Sequence, residues 1–359
     1  MSLYRTYRPK NFAEIAGQEH IKTTLQNEIA LGSTVHAYLF SGPRAVGKTT
    51  TARVFVRAIN CLKRKEGEYE PCNACVSCKA LLENRTLDMM EIDAASHTGV
   101  DNVRENIIGA ARVANADLKY KAFIIDEVHM LSSGAFNALL KLMEEPPKNV
   151  VFILATTEFH KVPATIVSRC QRFDFKKISA SDMENRLKKL VKLEKREVDA
   201  DVIAEIVRFS EGCERDAESL LGQVLSLGEG TITMELAGIV LPRSNRALVQ
   251  RLVGIVAAKK SSEGMSVVDQ IIDEGVDLVT FTNDVIEYLR SVLLIQSGSG
   301  DLISVTDAER AVLDGLSKSM SQEQVLKLID HFAAAQAQSR YFAIKQLPLE
   351  IAIVKSCMA

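Results

Sequence analysis

In the first half of the chain, apolar residues gather in short, near-continuous runs, the signature of strands buried on both faces of a parallel sheet. Runs at 37–40, 87–93, 121–129 and 150–155 fit that description, and 50–59 reads as a helix. Three of the runs end in polar residues: Ser41 and a glycine-rich turn, Asp126-Glu127, and Thr156-Thr157. In such sheets ligands lie at the carboxyl ends of the strands. After Phe175 the pattern changes to amphipathic helix. Residues 181–197 put Leu187, Leu190 and Val191 on one side and Lys188, Lys189, Lys192 and Lys195 largely on another. That lysine stripe is read as a solvated face, with DNA as its alternative use. Residues 202–227 complete a small helical region, and Gly228-Glu229-Gly230 is a turn. Leu241-Pro242-Arg243-Ser244-Asn245 reads as a linker. Residues 246–357 continue as helix, interrupted at Ser297-Gly298-Ser299-Gly300, and support a helical bundle.

Composition bounds this picture without changing it. A chain of 359 residues has room for two or three domains with real cores. It has no apolar run of about 18 residues that would span a membrane, and the start Met1-Ser2-Leu3-Tyr4-Arg5 lacks the apolar core of a signal peptide. A cytoplasmic protein is expected. With a net charge of −2, nucleic acid can be held only by a local basic surface.

The turn after the first strand, Gly42-Pro43-Arg44-Ala45-Val46-Gly47-Lys48-Thr49, followed by Thr50, has the form G-x-x-x-x-G-K-[ST] between a strand and a helix. In that setting backbone N–H groups cradle the phosphates of a nucleoside triphosphate, Lys48 reaches the β and γ oxygens, and the Thr49 hydroxyl ligates Mg²⁺. Asp126 is then expected to hold the Mg²⁺ shell and Glu127 to polarise the attacking water as general base. A hydroxyl of the Thr156-Thr157 pair would report on the γ-phosphate or the lytic water.

Of the seven cysteines, Cys61, Cys72, Cys75 and Cys78 cluster as C-x₁₀-C-x₂-C-x₂-C. In a cytoplasmic chain such thiols point to a metal, and tetrahedral Zn²⁺ on four thiolates is favoured. An iron–sulfur centre competes, but the fourth cysteine its common run requires is replaced by Leu82. Four protein ligands leave no open position, so the site is read as structural. Cys170, Cys213 and Cys357 stand alone and are read as packing residues.

With these motifs placed, the chain resembles the AAA+ ATPases, specifically the gamma/tau subunits of bacterial DNA polymerase III clamp loaders. The resemblance rests on Tyr7-Arg8-Pro9-Lys10-Asn11-Phe12, Gly17-Gln18-Glu19-His20, His36-Ala37-Tyr38-Leu39-Phe40-Ser41-Gly42 and Glu91-Ile92-Asp93-Ala94-Ala95-Ser96. It continues through Ile125-Asp126-Glu127-Val128-His129-Met130-Leu131, Asn137-Ala138-Leu139-Leu140-Lys141 and Glu144-Glu145-Pro146-Pro147. Ala155-Thr156-Thr157-Glu158 and Ser168-Arg169-Cys170 complete it. The match is dense to about residue 242 and looser beyond.

The resemblance implies an α/β P-loop AAA+ domain with a parallel sheet over 1–177, carrying the zinc module at 61–78. A helical lid over 178–242 and an all-α collar over 243–359 would follow. It implies that Arg8 and Pro9 pack near adenine, that Thr157 is the sensor 1 residue, and that Arg215 is the sensor 2 arginine of the lid. Arg169 resembles the arginine finger offered in trans to a neighbouring subunit, which would make hydrolysis depend on assembly. The implied partners are delta-like and delta-prime-like subunits and further copies of the chain in an open pentameric ring, the sliding clamp, and primer–template DNA. The family's long products carry additional domains, so the chain is expected to match a short form or a truncated one.

Three residues depart from the family pattern: Ala45 stands where glycine is common, and Cys213 and Glu214 precede the lid arginine. Alanine costs only the positive-φ option, so ATP binding is expected to survive with altered loop geometry. An AAA+ branch-migration motor is the first rival; it should carry a winged-helix domain and lack the four-cysteine insertion. A non-hydrolysing structural ring subunit is the second, and it would have lost Lys48 or Glu127. No polymerase active site is visible.

Overall fold

A computed structural model describes residues 2–96, 104–228, 230–241, 246–300, 303, 307–339 and 341–358. The chain divides into two compact units, residues 1–242 and 243–359.

The first unit is built on five parallel strands: β1 (Ala37–Ser41), β2 (Met89–Asp93), β3 (Lys121–Asp126), β4 (Val150–Thr156) and β5 (Gln171–Asp174), in the order β2-β3-β4-β1-β5. The three inner strands are the apolar ones, as burial on both faces demands, while β2 and β5 are only partly covered. Side chains alternate between faces. Tyr38, Phe40, Ile124 and Ile153 pack with the helices Glu19–Leu31 and Lys48–Ile59 through Ile21, Leu25, Val54 and Phe55. Leu39, Phe123, Ile125, Phe152 and Leu154 pack with Phe136 and Leu139 of the helix Ser133–Glu144. The Phe123 and Phe152 rings stack at 5.4 Å. The register sets Ser41 beside Thr156 and Asp93 beside Asp126, so the polar strand ends share one edge.

Two boundaries differ from the sequence pattern. The helix after the phosphate loop begins at Lys48, two residues before the expected 50. β3 stops at Asp126 because Glu127 takes a left-handed backbone, φ 47°, which leads into a short 3₁₀ turn. The helices Glu19–Leu31 and Ser133–Glu144 and the strand β5 were not anticipated from the pattern of apolar positions.

The remainder of this unit is helical: Ala180–Leu193, Ala200–Ser210, Glu214–Leu225 and Met234–Ala237 surround a core of Met183, Leu187, Leu190, Ile203, Ile206 and Leu221. The lysines Lys188, Lys189, Lys192 and Lys195 are exposed. The helical stretch 202–227 is broken at Glu211 and Gly212, φ 48° and 83°. A Cβ on Gly212 would meet Lys177 and the Ile178 backbone at 2.9–3.0 Å, so the break is a point of close approach that requires glycine. Leu3 joins this helical core and ties the N-terminal segment to it.

The second unit packs the helices Arg246–Ala257, Ser261–Asp273, Leu278–Gln296, Asp307–Ser319, Gln322–Gln338 and Leu347–Met358 around Leu252, Val267, Phe281, Leu289, Phe332 and Ile353. The interruption at 297–300 is a helix end, with Gly298 at φ 73°. Residue 229 of the expected turn and residues 242–245 of the expected linker lie outside the described residues. Among the described residues, no helix is long and apolar enough to cross a membrane.

Candidate active site

The site grows from the end of β1. Gly42 takes φ 144°, and a Cβ there would be driven into the Phe175 carbonyl, so only glycine fits. Gly47, φ 97°, turns the chain into the helix Lys48–Ile59. Ala45 also lies in the left-handed region, φ 59°. The alanine thus takes a backbone that glycine would adopt freely, at a cost in strain.

Lys48 is buried and donates from Nζ to the carbonyls of Gly42 (2.8 Å) and Pro43 (2.7 Å). Burial pulls its ammonium below the usual lysine range, while Glu127 and Asp126 oppose that shift. Thr49 Oγ1 donates to Asp126 Oδ2 at 2.8 Å. The Asp126 carboxyl is pushed up, chiefly by burial, against the Thr49 hydrogen bond and the Glu127 N–H. Glu127 Oε2 accepts from Thr157 twice, from Oγ1 at 2.8 Å and from N at 3.2 Å. His129 lies 3.4 Å from the same carboxylate and hydrogen-bonds Thr156 Oγ1 at 3.0 Å.

Lys48, Thr49, Asp126 and Glu127 face a cavity of about 260 Å³. Arg44, Ala45, Gly47, Lys48, Thr49 and Thr50 line it from the loop, Asp126 and Glu127 from β3, Arg8 and Pro9 from the N-terminal segment, and Arg215 from the helix Glu214–Leu225. Val46 is buried in the core, and Gly42 and Pro43 contribute carbonyls to Lys48 and do not line the cavity. Thr157 stands behind Glu127. Arg169 is outside the cavity, partly exposed, with Nη2 2.6 Å from Glu144 and Nη1 donating to the Thr165 carbonyl. Cys213 is half-buried and donates its thiol to the Arg44 carbonyl at 3.3 Å; beside it the Glu214 N–H donates to the Ala45 carbonyl at 3.0 Å. The helical region is thus latched directly to the phosphate loop.

Sequence reasoning missed the acid cluster on that helix. Glu214 and Glu218 lie one turn apart, and buried Arg186 reaches both, at 3.1 and 2.8 Å, while also donating to the Tyr7 carbonyl. One guanidinium faces two carboxylates. Burial, reinforced by Glu218, pushes Glu214 up to about 7. A carboxyl whose folded pKa is raised stabilises the fold fully below its unfolded pKa of about 4.3 and loses that contribution as pH rises toward 7. Glu214→Gln is therefore expected to gain stability relative to the parent between about pH 4.5 and 7. Thermal melts of both proteins across that window check this; parallel melting curves at every pH would contradict it.

The four clustered cysteines place their sulfurs within 4.8 Å of one another. Cys75 Sγ accepts from the Cys78 N–H and caps the helix Val76–Leu82, and Cys72 Sγ accepts from the N–H groups of Ala74 and Cys75. Burial opposes ionisation of Cys72, but these donors outweigh it and bring the thiol down to about 6. Burial pushes Cys78 the other way. Glu70 anchors the module by accepting from the N–H groups of Phe12 and Ala13. Of the remaining cysteines, Cys170 packs against the sheet, burial raising its thiol to about 12, and Cys357 belongs to the second unit's core.

A parallel sheet in this order, with a phosphate loop after β1, an Asp-Glu pair after β3 and a helical lid latched to the loop, defines an AAA+ protein. A variant of Thermotoga maritima RuvB shares this fold, with a TM-score of 0.50 at 16% identity over 75% of this chain and 86% of that one. Residues 17–179 match the family model described as DNA polymerase III, delta subunit, and residues 237–359 the model described as DNA polymerase III subunits gamma and tau domain III. The chain is 38% identical to DNA polymerase III subunit tau of Bacillus subtilis over 99% of its own length and 63% of that protein. It is 36% identical to DNA polymerase III subunit gamma of Buchnera aphidicola, over 82% of this chain and 81% of that one. The chain belongs to the gamma/tau subunit family of DNA polymerase III. It spans less than two thirds of the length of the first Bacillus and Mycobacterium relatives it matches.

Proposed function

We propose that the chain is an ATP-hydrolysing subunit of the bacterial DNA polymerase III clamp loader, acting in the cytoplasm to place a sliding clamp on primed DNA. The observation that carries this reading is the convergence of Lys48, Thr49, Asp126, Glu127 and Arg215 on one cavity beneath a latched lid. ATP binding would exchange the two carbonyl partners of Lys48 for β and γ oxygens, with the loop N–H groups on the phosphates. Arg8 and Pro9 would flank the adenine. Thr49 and Asp126, already joined by a hydrogen bond, offer the oxygen ligands Mg²⁺ prefers; when bound, that ion neutralises charge on the phosphates. Glu127 would take the proton of the attacking water, its carboxylate oriented by Thr157. Arg215 would sense the γ-phosphate from the lid and so couple lid angle to ATP. Arg169 would leave Glu144 and reach a neighbouring protomer's site. The ring would join copies of this chain to delta-like and delta-prime-like subunits, with primer–template DNA triggering hydrolysis and release.

The decisive test is the ATP turnover of the purified chain alone, then with the other loader subunits, clamp and primed DNA. Turnover that rises only with the full set fits. Clamp-independent translocation on duplex DNA would favour the branch-migration motor.

The cysteine module is proposed to hold Zn²⁺. Its sulfurs lie within 4.8 Å of one another, a small contraction away from the spacing of about 3.8 Å set by tetrahedral Zn–S bonds of about 2.3 Å. Cys75→Ala removes both a ligand and a helix cap, and is expected to lose the metal and about 2 kcal/mol or more of stability. Metal content and melting temperature report it; unchanged values in both would refute the assignment.

A further inference from the structure

Behind the nucleotide cavity lies a second one of about 450 Å³, walled by the N-terminal segment, the outer half of the helix Lys48–Ile59, the end of the helix Val76–Leu82 and Met89 of β2. Five cationic side chains line it: Arg5, Arg8, Lys10, Arg53 and Arg57. No carboxylate lines it among the described residues. Arg53 is paired outside it with Glu91 at 2.6 Å. Arg57 stands one helical turn on from Arg53, on the same face. It is 4% exposed, and its Nε has no hydrogen-bond partner among the described residues. A buried guanidinium left with an unmade bond is costly, so the arrangement asks for an acceptor.

The surroundings sharpen that demand. Arg8 is disfavoured in its charged form first by burial and then by Arg53, Arg215 and Arg5, while Glu91 favours the charge. Burial likewise acts on Arg57, where Cys78 and Glu14 favour the charge and Arg53 opposes it. The cations repel one another across the cavity, and a multiply charged anion would relieve that repulsion. Arg57 lies at a depth that a nucleic-acid duplex cannot reach, whereas a phosphate group can be gripped by several guanidinium N–H donors at once. Leu81 and Leu82, at the end of the helix Val76–Leu82 that Cys75 caps, close one wall.

We propose that this cavity is an anion site for a small phosphate-class anion of the pyrophosphate type, separate from the seat of the nucleotide. The two cavities share only Arg8 and Pro9. The proposal goes beyond the ATP-binding reading and stands if hydrolysis is never observed.

Isothermal titration of inorganic pyrophosphate into the full chain, pre-saturated with ADP in Mg²⁺-free buffer, is expected to show one further equivalent bound. Arg57→Gln should weaken that event about tenfold, the loss of a charge-assisted bond, and added salt should weaken it in the parent. ADP affinity and the metal content of the cysteine module should not change in that variant. Should Arg57→Gln fail to fold, the exposed rim double variant Arg5→Gln/Lys10→Gln is expected to lose about fivefold. No binding beyond the ADP site, or unchanged affinity in the variants, overturns the proposal. So does Arg57-dependent binding of a primed oligonucleotide with none of pyrophosphate.

Discussion

Arg169→Ala is expected to cut ATP turnover of the assembled loader by about 10³- to 10⁵-fold, the range of a guanidinium lent in trans to phosphoryl transfer. The physical reason is that charge accumulates on the phosphoryl oxygens in the transition state, and a planar cation placed there stabilises it more than it stabilises bound ATP. In its own subunit Arg169 does not face the nucleotide cavity; it holds Glu144 and the Thr165 carbonyl from a partly exposed position. An exposed ion pair contributes only about 0–1 kcal/mol, so the variant should fold and bind ATP normally. Mixing it with Lys48→Ala, which cannot bind nucleotide productively but retains Arg169, should restore part of the turnover in rings where the two alternate. Loss of activity that mixing never rescues, or a parent rate indifferent to assembly, would place Arg169 outside the reaction.

The second large effect concerns Glu127. Glu127→Gln is expected to lower the rate of the chemical step by about 10²- to 10⁴-fold, the usual contribution of a general base. ATP affinity should hardly change, because Lys48, Thr49 and the loop N–H groups are untouched. A single-turnover measurement alongside nucleotide titration separates the two, and weakened binding at an intact chemical rate would be the wrong signature. Thr157→Val removes the 2.8 Å hydroxyl donor to Glu127 but leaves the Thr157 N–H. It should therefore lie between parent and Glu127→Gln.

What could be read from the residues in order was whatever depends on neighbours in sequence. The phosphate loop needs glycines at fixed offsets, the inner strands need unbroken apolar runs, and the four cysteines must be spaced to meet. All three are properties of local geometry. They placed Lys48, Thr49, Asp126 and Glu127 at strand ends that the register then aligns on one edge. β5 and the helix Glu19–Leu31 were missed for a related reason: the strand is a short edge with one buried side chain, and the helix buries only part of one face.

The tertiary structure alone decided which distant groups meet. Nothing in the order of residues pairs Arg186 with Glu214, Glu218 and the Tyr7 carbonyl; three segments must pack before one guanidinium can face two acids. Likewise the left-handed φ of Ala45 runs against alanine's own preference, at the residue whose carbonyl accepts from the Glu214 N–H. The sequence by itself determined the chemistry and the strands that carry it, because those reside in short-range spacing. Packing determined how the lid grips the loop, what Glu127 leans on and where uncompensated arginines gather, because burial sets those energies, and burial exists only once the chain has folded.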